Sequence, residues 1–228
     1  MILQIETATA SCSVALAQDG LVLAFKQVNE RNLHAEVITR FIEEIISNAG
    51  YNYSDLDAIA VSCGPGSYTG LRIGISTAKG LCFGLDKPLI AIETLEAMAN
   101  GAMGMDEYGS KENLLLCPMI DARRMEVYTA VFNTKGEKLK PTTAAIIDEH
   151  SFADILKDHK VLFFGDGAEK CFNVLNKSPN ALYLPGFVNS ATWLTKKAAE
   201  KFKNKEFEDV AYFEPYYLKD FIAGKKAV

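Results

Sequence analysis

Short apolar runs alternate along the chain with segments whose apolar residues recur every three or four positions. The first half opens with ILQIE (2–6), an apolar run ending on an acid. CSVALAQ and LVLAFKQV flank Asp19-Gly20, a hairpin signal. Between 31 and 48, Leu33, Val37, Ile38, Phe41, Ile42, Ile45 and Ile46 form a helical stripe, and Gly50 closes it. DAIAVSC (57–63) predicts a buried strand, 67–84 a helix, and PLIAIE (88–93) another strand. Thr94 is placed to cap the helix that follows. The order is βββαβαβα.

The second half repeats it. LLLCPMID (114–121) is an apolar run ending on an acid. MEVYTAVFN and KLKPTTAAII flank Lys135-Gly136. Asp148 predicts the start of a helix running to about 158. KVLFFGDG, AEKCFNVLN, ALYLP and SATWLTKKAAEKFKN then read strand, helix, strand, helix. Punctuation repeats as well: Gly165-Asp166-Gly167 follows the fourth run as Gly64-Pro65-Gly66 does in the first half. Internal duplication of this kind predicts two similar α/β lobes, 1–104 and 105–228. The polar, period-breaking GAMGMDEYGSKEN (101–113) joins them.

Composition narrows the reading. The chain has 228 residues and a net charge of -5, without the basic excess of a surface that binds nucleic acid unaided. Its five cysteines are widely spaced and form no CxxC pair. They read as small core residues in a reducing, cytoplasmic setting. No apolar run reaches membrane-spanning length.

The segment CGPGSYTGLRIG (63–74) carries the main question. It lacks the lysine and hydroxyl of a P-loop and misses the GxGxxG spacing by one residue. Gly66, Gly70, Gly74 and Ala78 recur at intervals of four, a smooth strip along one helix. Interior glycines cost about 0.8–1 kcal/mol each relative to alanine, so something must come close enough to offset them. A phosphate held at the helix N-terminus and a second backbone lying on the strip both meet that requirement. The turns ETAT (6–9) and DARR (121–124) carry acids where actin-like folds hold metal and phosphate, yet ETAT has no glycine. Both also read as solvated hairpin turns. His34 has Ile38 at the i+4 position where a metal-binding helix would place its second ligand.

IETATASCSVAL, GPGSYTGLRIG with AKGL, IDARRMEVYTAVF and the late PYYL together resemble the TsaB (YeaZ) family, over nearly the whole chain. The resemblance implies the actin-like ATPase (ribonuclease H-like) fold in two tandem βββαβαβα lobes. It implies a role in forming threonylcarbamoyladenosine in tRNA, as a pseudo-enzyme homologue of the transferase TsaD that lacks the HxxxH metal motif. The expected partners are TsaD and TsaE, a second copy when the chain is alone, and tRNA only through the complex. No tightly bound cofactor is implied; ATP belongs to the complex. The family's pairing surface maps onto the first two helices, at His34, Ile38, Phe41, Gly70, Ile73, Gly74 and Thr77. The alternative is an ATP-binding or ATP-hydrolysing enzyme, using Glu6, Thr7 and Thr9 with Gly165 and Gly167 beside the nucleotide.

Overall fold

The computed structural model describes residues 1–30, 32–104 and 113–219. The boundary expected at 104/105 therefore borders a stretch outside the described residues. The first half forms β1 (Ile2–Glu6), β2 (Ser11–Gln18), β3 (Leu21–Asn29), α1 (His34–Asn48), β4 (Ala58–Gly64), α2 (Tyr68–Leu85), β5 (Leu89–Glu93) and α3 (Thr94–Met103). The second half forms β6 (Leu114–Asp121), β7 (Glu126–Asn133), β8 (Lys138–Ile146), α4 (Ala153–Leu156), β9 (Lys160–Phe164), α5 (Asp166–Leu175), β10 (Ala181–Leu184) and α6 (Thr195–Asn204). A 3-10 turn, Ala191–Leu194, precedes α6.

Each half makes a five-stranded sheet with the same plan. The orders are β3-β2-β1-β4-β5 and β8-β7-β6-β9-β10. In both, the first three strands pair antiparallel as consecutive hairpins, and the last two add parallel to the first. The parallel strands β1 and β4 are buried on both faces, which is why they read as largely apolar runs. This is the duplicated architecture that the sequence predicts, two tandem βββαβαβα units in an actin-like (ribonuclease H-like) arrangement.

The sheet of the N-terminal lobe has two covered faces. Leu3, Ile5, Val14 and Leu16 meet the inner stripes of α1 and α2. On the reverse, Ile2, Ala15, Ala60 and Ile92 meet Ala191, Leu194 and Ala198 from the 3-10 turn and α6. The helices are thus exchanged: α6 lies on the first sheet, while α3 sends Leu95, Met98 and Ala102 into the core over β6 and β7. Gln4, on the reverse face, accepts from the Thr195 hydroxyl at 2.8 Å, and Ser13 accepts from Ala191 N–H at 2.8 Å.

Local details depart from expectation in three places. Thr94 does not cap α3; Glu93 holds the cap position, and Thr94 begins the helix. Asp148 starts no helix, because its carboxylate closes a local turn with the Ser151 hydroxyl and His150 N–H, leaving α4 a single turn. The helix expected through SATWLTKKAAEKFKN opens as the 3-10 turn, with the Ser190 side chain accepting from Thr192 N–H. Gly50 does close α1, with φ +78°.

Candidate functional site: an interlobe cleft and the outer face of the second helix

The glycine strip is filled from within the lobe. Ser67 caps α2 by accepting from Gly70 N–H at 3.2 Å, and its own N–H donates to Ala8 O at 2.7 Å. This sets the first turns of α2 against the β1–β2 hairpin. A Cβ on Gly66 would overlap the carbonyl oxygen of Ala8, one on Gly70 that of Thr7, and one on Gly74 the Thr7 hydroxyl. Of the two occupants open at the sequence level, the strip holds a backbone, and that backbone is the chain's own hairpin. The second lobe repeats the device. Gly165, with φ +99°, leans on Met119 O, and a Cβ on Gly167 would come within 2.8 Å of the Ile120 carbonyl carbon. Asp166 accepts from Asp121 N–H at 3.0 Å across that junction.

Between the two hairpins lies a cleft of about 820 Å³. Thr9, the first turn of α2, Asp121, Arg123, Tyr128, Asp166 and residues 216–219 line it. Among the expected nucleotide contacts, Thr9 alone lines this space. Glu6 and Thr7 are fully buried beneath it, and Gly165 and Gly167 are turned onto β6. Burial pushes the Glu6 carboxyl up to about 7. Ala8 N–H, donating to its Oε1 at 2.6 Å, opposes that rise without cancelling it. Asp121 is neutralised by the Lys170 ammonium, which also donates to Glu126 O at 2.8 Å. Lys170 stands 49 positions from Asp121, and no local pattern announces it. Arg123 and Arg124 both adopt left-handed backbone in the β6–β7 turn, at φ +71° and +49°.

His34 sits where α1 begins, and its Nε2–H donates to Thr9 O at 2.9 Å, because a carbonyl can only accept. The ring thus braces the first hairpin at Thr9, two residues beyond the carbonyl that faces Gly70. Ile38 follows one turn later and is buried. Among the described residues no group of three or more His, Cys, Asp or Glu side chains is placed to hold a metal ion.

The expected pairing surface divides under the same geometry. His34, Ile38 and Phe41 point into the lobe, the last two packing in its core. Gly70 and Gly74 are covered by the hairpin. Ile73 and Thr77 remain half-buried on the flank of α2. The outward face of this helix is instead Arg72, Ser76, Gly80, Phe83 and Gly84. Phe83 is 86% exposed, and nothing lies within 4 Å of a Cβ on Gly80 or Gly84. A phenylalanine outside the Leu71, Ile75, Ala78, Cys82 stripe was the available sequence signal for that face.

Comparison with known proteins places this geometry. The family model of TsaD, tRNA N6-adenosine threonylcarbamoyltransferase, matches residues 28–226. The tRNA threonylcarbamoyladenosine biosynthesis protein TsaB of Escherichia coli K12 is 34% identical over 232 residues, covering 99% of this chain and 97% of that protein. The TsaB of Bacillus subtilis 168 is 29% identical, covering 96% and 93%. Among solved structures, YeaZ from Pseudomonas aeruginosa superposes with a TM-score of 0.80 at 27% identity, covering 95% of this chain and 99% of that one.

Proposed function

The chain belongs to the TsaB family of tRNA threonylcarbamoyladenosine biosynthesis proteins, and on that premise we propose that it serves the pathway as a non-catalytic subunit that docks TsaD and holds it active. The observation that carries this reading is the outer face of α2. Its C-terminal turns are bare at Gly80 and Gly84, and one large apolar side chain, Phe83, stands in solvent between them. Helices approach closely where side chains are small, and an exposed aromatic beside such bare turns is the composition of an interface anchor. The rest of the site supports a binding role over a chemical one. His34 is engaged by Thr9 O, its i+4 neighbour is Ile38, and all five cysteines are buried. On this reading TsaE joins through the complex, tRNA is met through TsaD, ATP acts in the assembled complex, and the free chain pairs with itself through the same face. On this reading the setting is the cytoplasm. No helix among the described residues is long and apolar enough to cross a membrane.

Co-purification tests it. Phe83→Asp and Gly80→Leu change exposed positions and should leave the thermal midpoint near that of the parent chain. Each should cut capture of TsaD at least tenfold. Undiminished capture by the folded variants would remove this face from the account.

A second reading, nucleotide binding by this chain alone, draws on the size of the cleft and on the first turn of α2 that lines it. Calorimetry of the isolated chain with Mg-ATP separates the two. Tight binding that Thr9→Ala weakens would favour it.

A further inference from the structure

Residues 206–219 leave α6 and return across the N-terminal lobe to the mouth of the cleft. Their first part is an anchor. Glu208 N–H donates to Leu89 O at 2.9 Å and bridges the edge of the sheet at β5. Val210 and Phe213 pack against the lobe's core. Lys79 on α2 holds the carbonyl oxygens of Ala211 and Phe213, at 3.2 and 2.9 Å.

Beyond the anchor runs an arm, 214–219, with ties to both lobes. Tyr216 N–H donates to Cys63 O at 2.8 Å. The Tyr217 ring stacks on Tyr68, in the first turn of α2, at 5.0 Å between centroids. The third tie crosses the cleft: the Lys219 ammonium pairs with Glu126, the first residue of β7 in the other lobe. The end of β4 is shaped to receive the arm. Gly64 has φ +121°, and a Cβ there would stand 2.6 Å from Tyr216 O. The arm's seat is shallow, since Tyr216 and Tyr217 are each 39% exposed. Among the described residues the arm is tied to the body by one backbone bond, one half-exposed stack and one exposed ion pair, which places it at the low end of local stability, while the anchor beneath it is packed.

We propose that residues 214–219 are a latch that sets the separation of the two lobes. Closed, the arm spans the mouth of the cleft and ties the β6–β7 hairpin to the start of α2. Released, it swings on the anchor and the lobes part. The assignment rests on the arm's contacts alone and does not depend on the docking role proposed for α2.

Spin labels report the separation. Glu36→Cys and Glu169→Cys lie exposed on the first turns of α1 and α5, and the native thiols are buried, so the full chain labels at these two sites. Lys219→Glu turns the crossing pair into a repulsion. It should raise hydrogen exchange at the Tyr216 amide at least tenfold, and lengthen and broaden the distance distribution. Adding Glu126→Lys should restore both, and Tyr217→Ala should act in the same direction as Lys219→Glu. If exchange in the arm rises while the distance distribution stays fixed, the segment is an inert strap and the proposal fails. If exchange does not rise, Lys219 does not hold the arm, and it fails equally.

Discussion

Gly74 of α2 lies against Thr7 of the first hairpin so closely that a Cβ at position 74 would overlap the Thr7 hydroxyl. Three glycines along this one helix meet three different environments, and substitution by alanine should separate them. At Gly70 the obstacle is a carbonyl oxygen in a buried hairpin, which cannot move without unseating the turn. Gly70→Ala should destabilise by about 1–3 kcal/mol. At Gly74 the obstacle is a side-chain hydroxyl that can rotate, so the loss should be smaller. At Gly80 nothing is near, and alanine should stabilise by up to about 1 kcal/mol through helix propensity alone. Thermal midpoints of the three variants test the order; a Gly70→Ala protein as stable as the parent would contradict the packing described.

Glu6 makes stability depend on pH. Its carboxyl holds a proton to about pH 7 in the fold, against 4.5 for the ordinary group, and burial is the main cause. Between those values the folded chain binds more protons than the unfolded one, so stability falls as pH rises. The contribution is complete below pH 4.5, is lost through pH 7, and amounts to about 3 kcal/mol at most. Melting curves from pH 5 to 8 should show this decline, and Glu6→Gln should flatten it. An unchanged slope in Glu6→Gln would assign the dependence to another group.

The thiols should be silent in the native protein. Burial pushes Cys12, Cys63, Cys82 and Cys117 up to about 12 and raises Cys171 as well. Thiolate is the reactive form, so an aromatic disulfide reagent at pH 8 should titrate none quickly in the folded chain and all five in denaturant. A fast native thiol would show that a covered surface is open in solution.

The single tryptophan reports on the junction of the halves. Trp193 donates through Nε1 to Val188 O at 3.1 Å, and its ring lies over Gly101 of α3, where a Cβ would stand 2.6 Å away. Gly101→Ala should displace the ring, shift the emission spectrum and lower the thermal midpoint. A spectrum identical to that of the parent would mean that the ring has room to spare.

The order of elements was legible because each buried strand is a short apolar run and each helix has a clean stripe. The duplication was legible because both halves keep glycines after the fourth strand. The spacing of Gly66, Gly70 and Gly74 showed that a backbone must lie close, but not which one. Thr7 is about sixty positions upstream, and a helical strip carries no mark of its occupant. His34, Ile38 and Phe41 belong to the same stripe that packs α1 inward, so the part of the pairing surface that the family resemblance put at these three residues falls on the buried side. The cleft was harder still: the Asp121–Lys170 pair and the return of the arm to Cys63 join distant segments and leave no local pattern.

The exchange of α3 and α6 bears on how such a molecule can be taken apart. Each copy of the ancestral unit roofs the other's floor: α6 covers the first sheet and α3 the second. Severing the chain at the linker would lay one broad greasy surface bare on each fragment, and neither should survive as a soluble piece. Duplication here has ended in mutual dependence, and what looks like two bodies on a hinge must be made, and lost, as one.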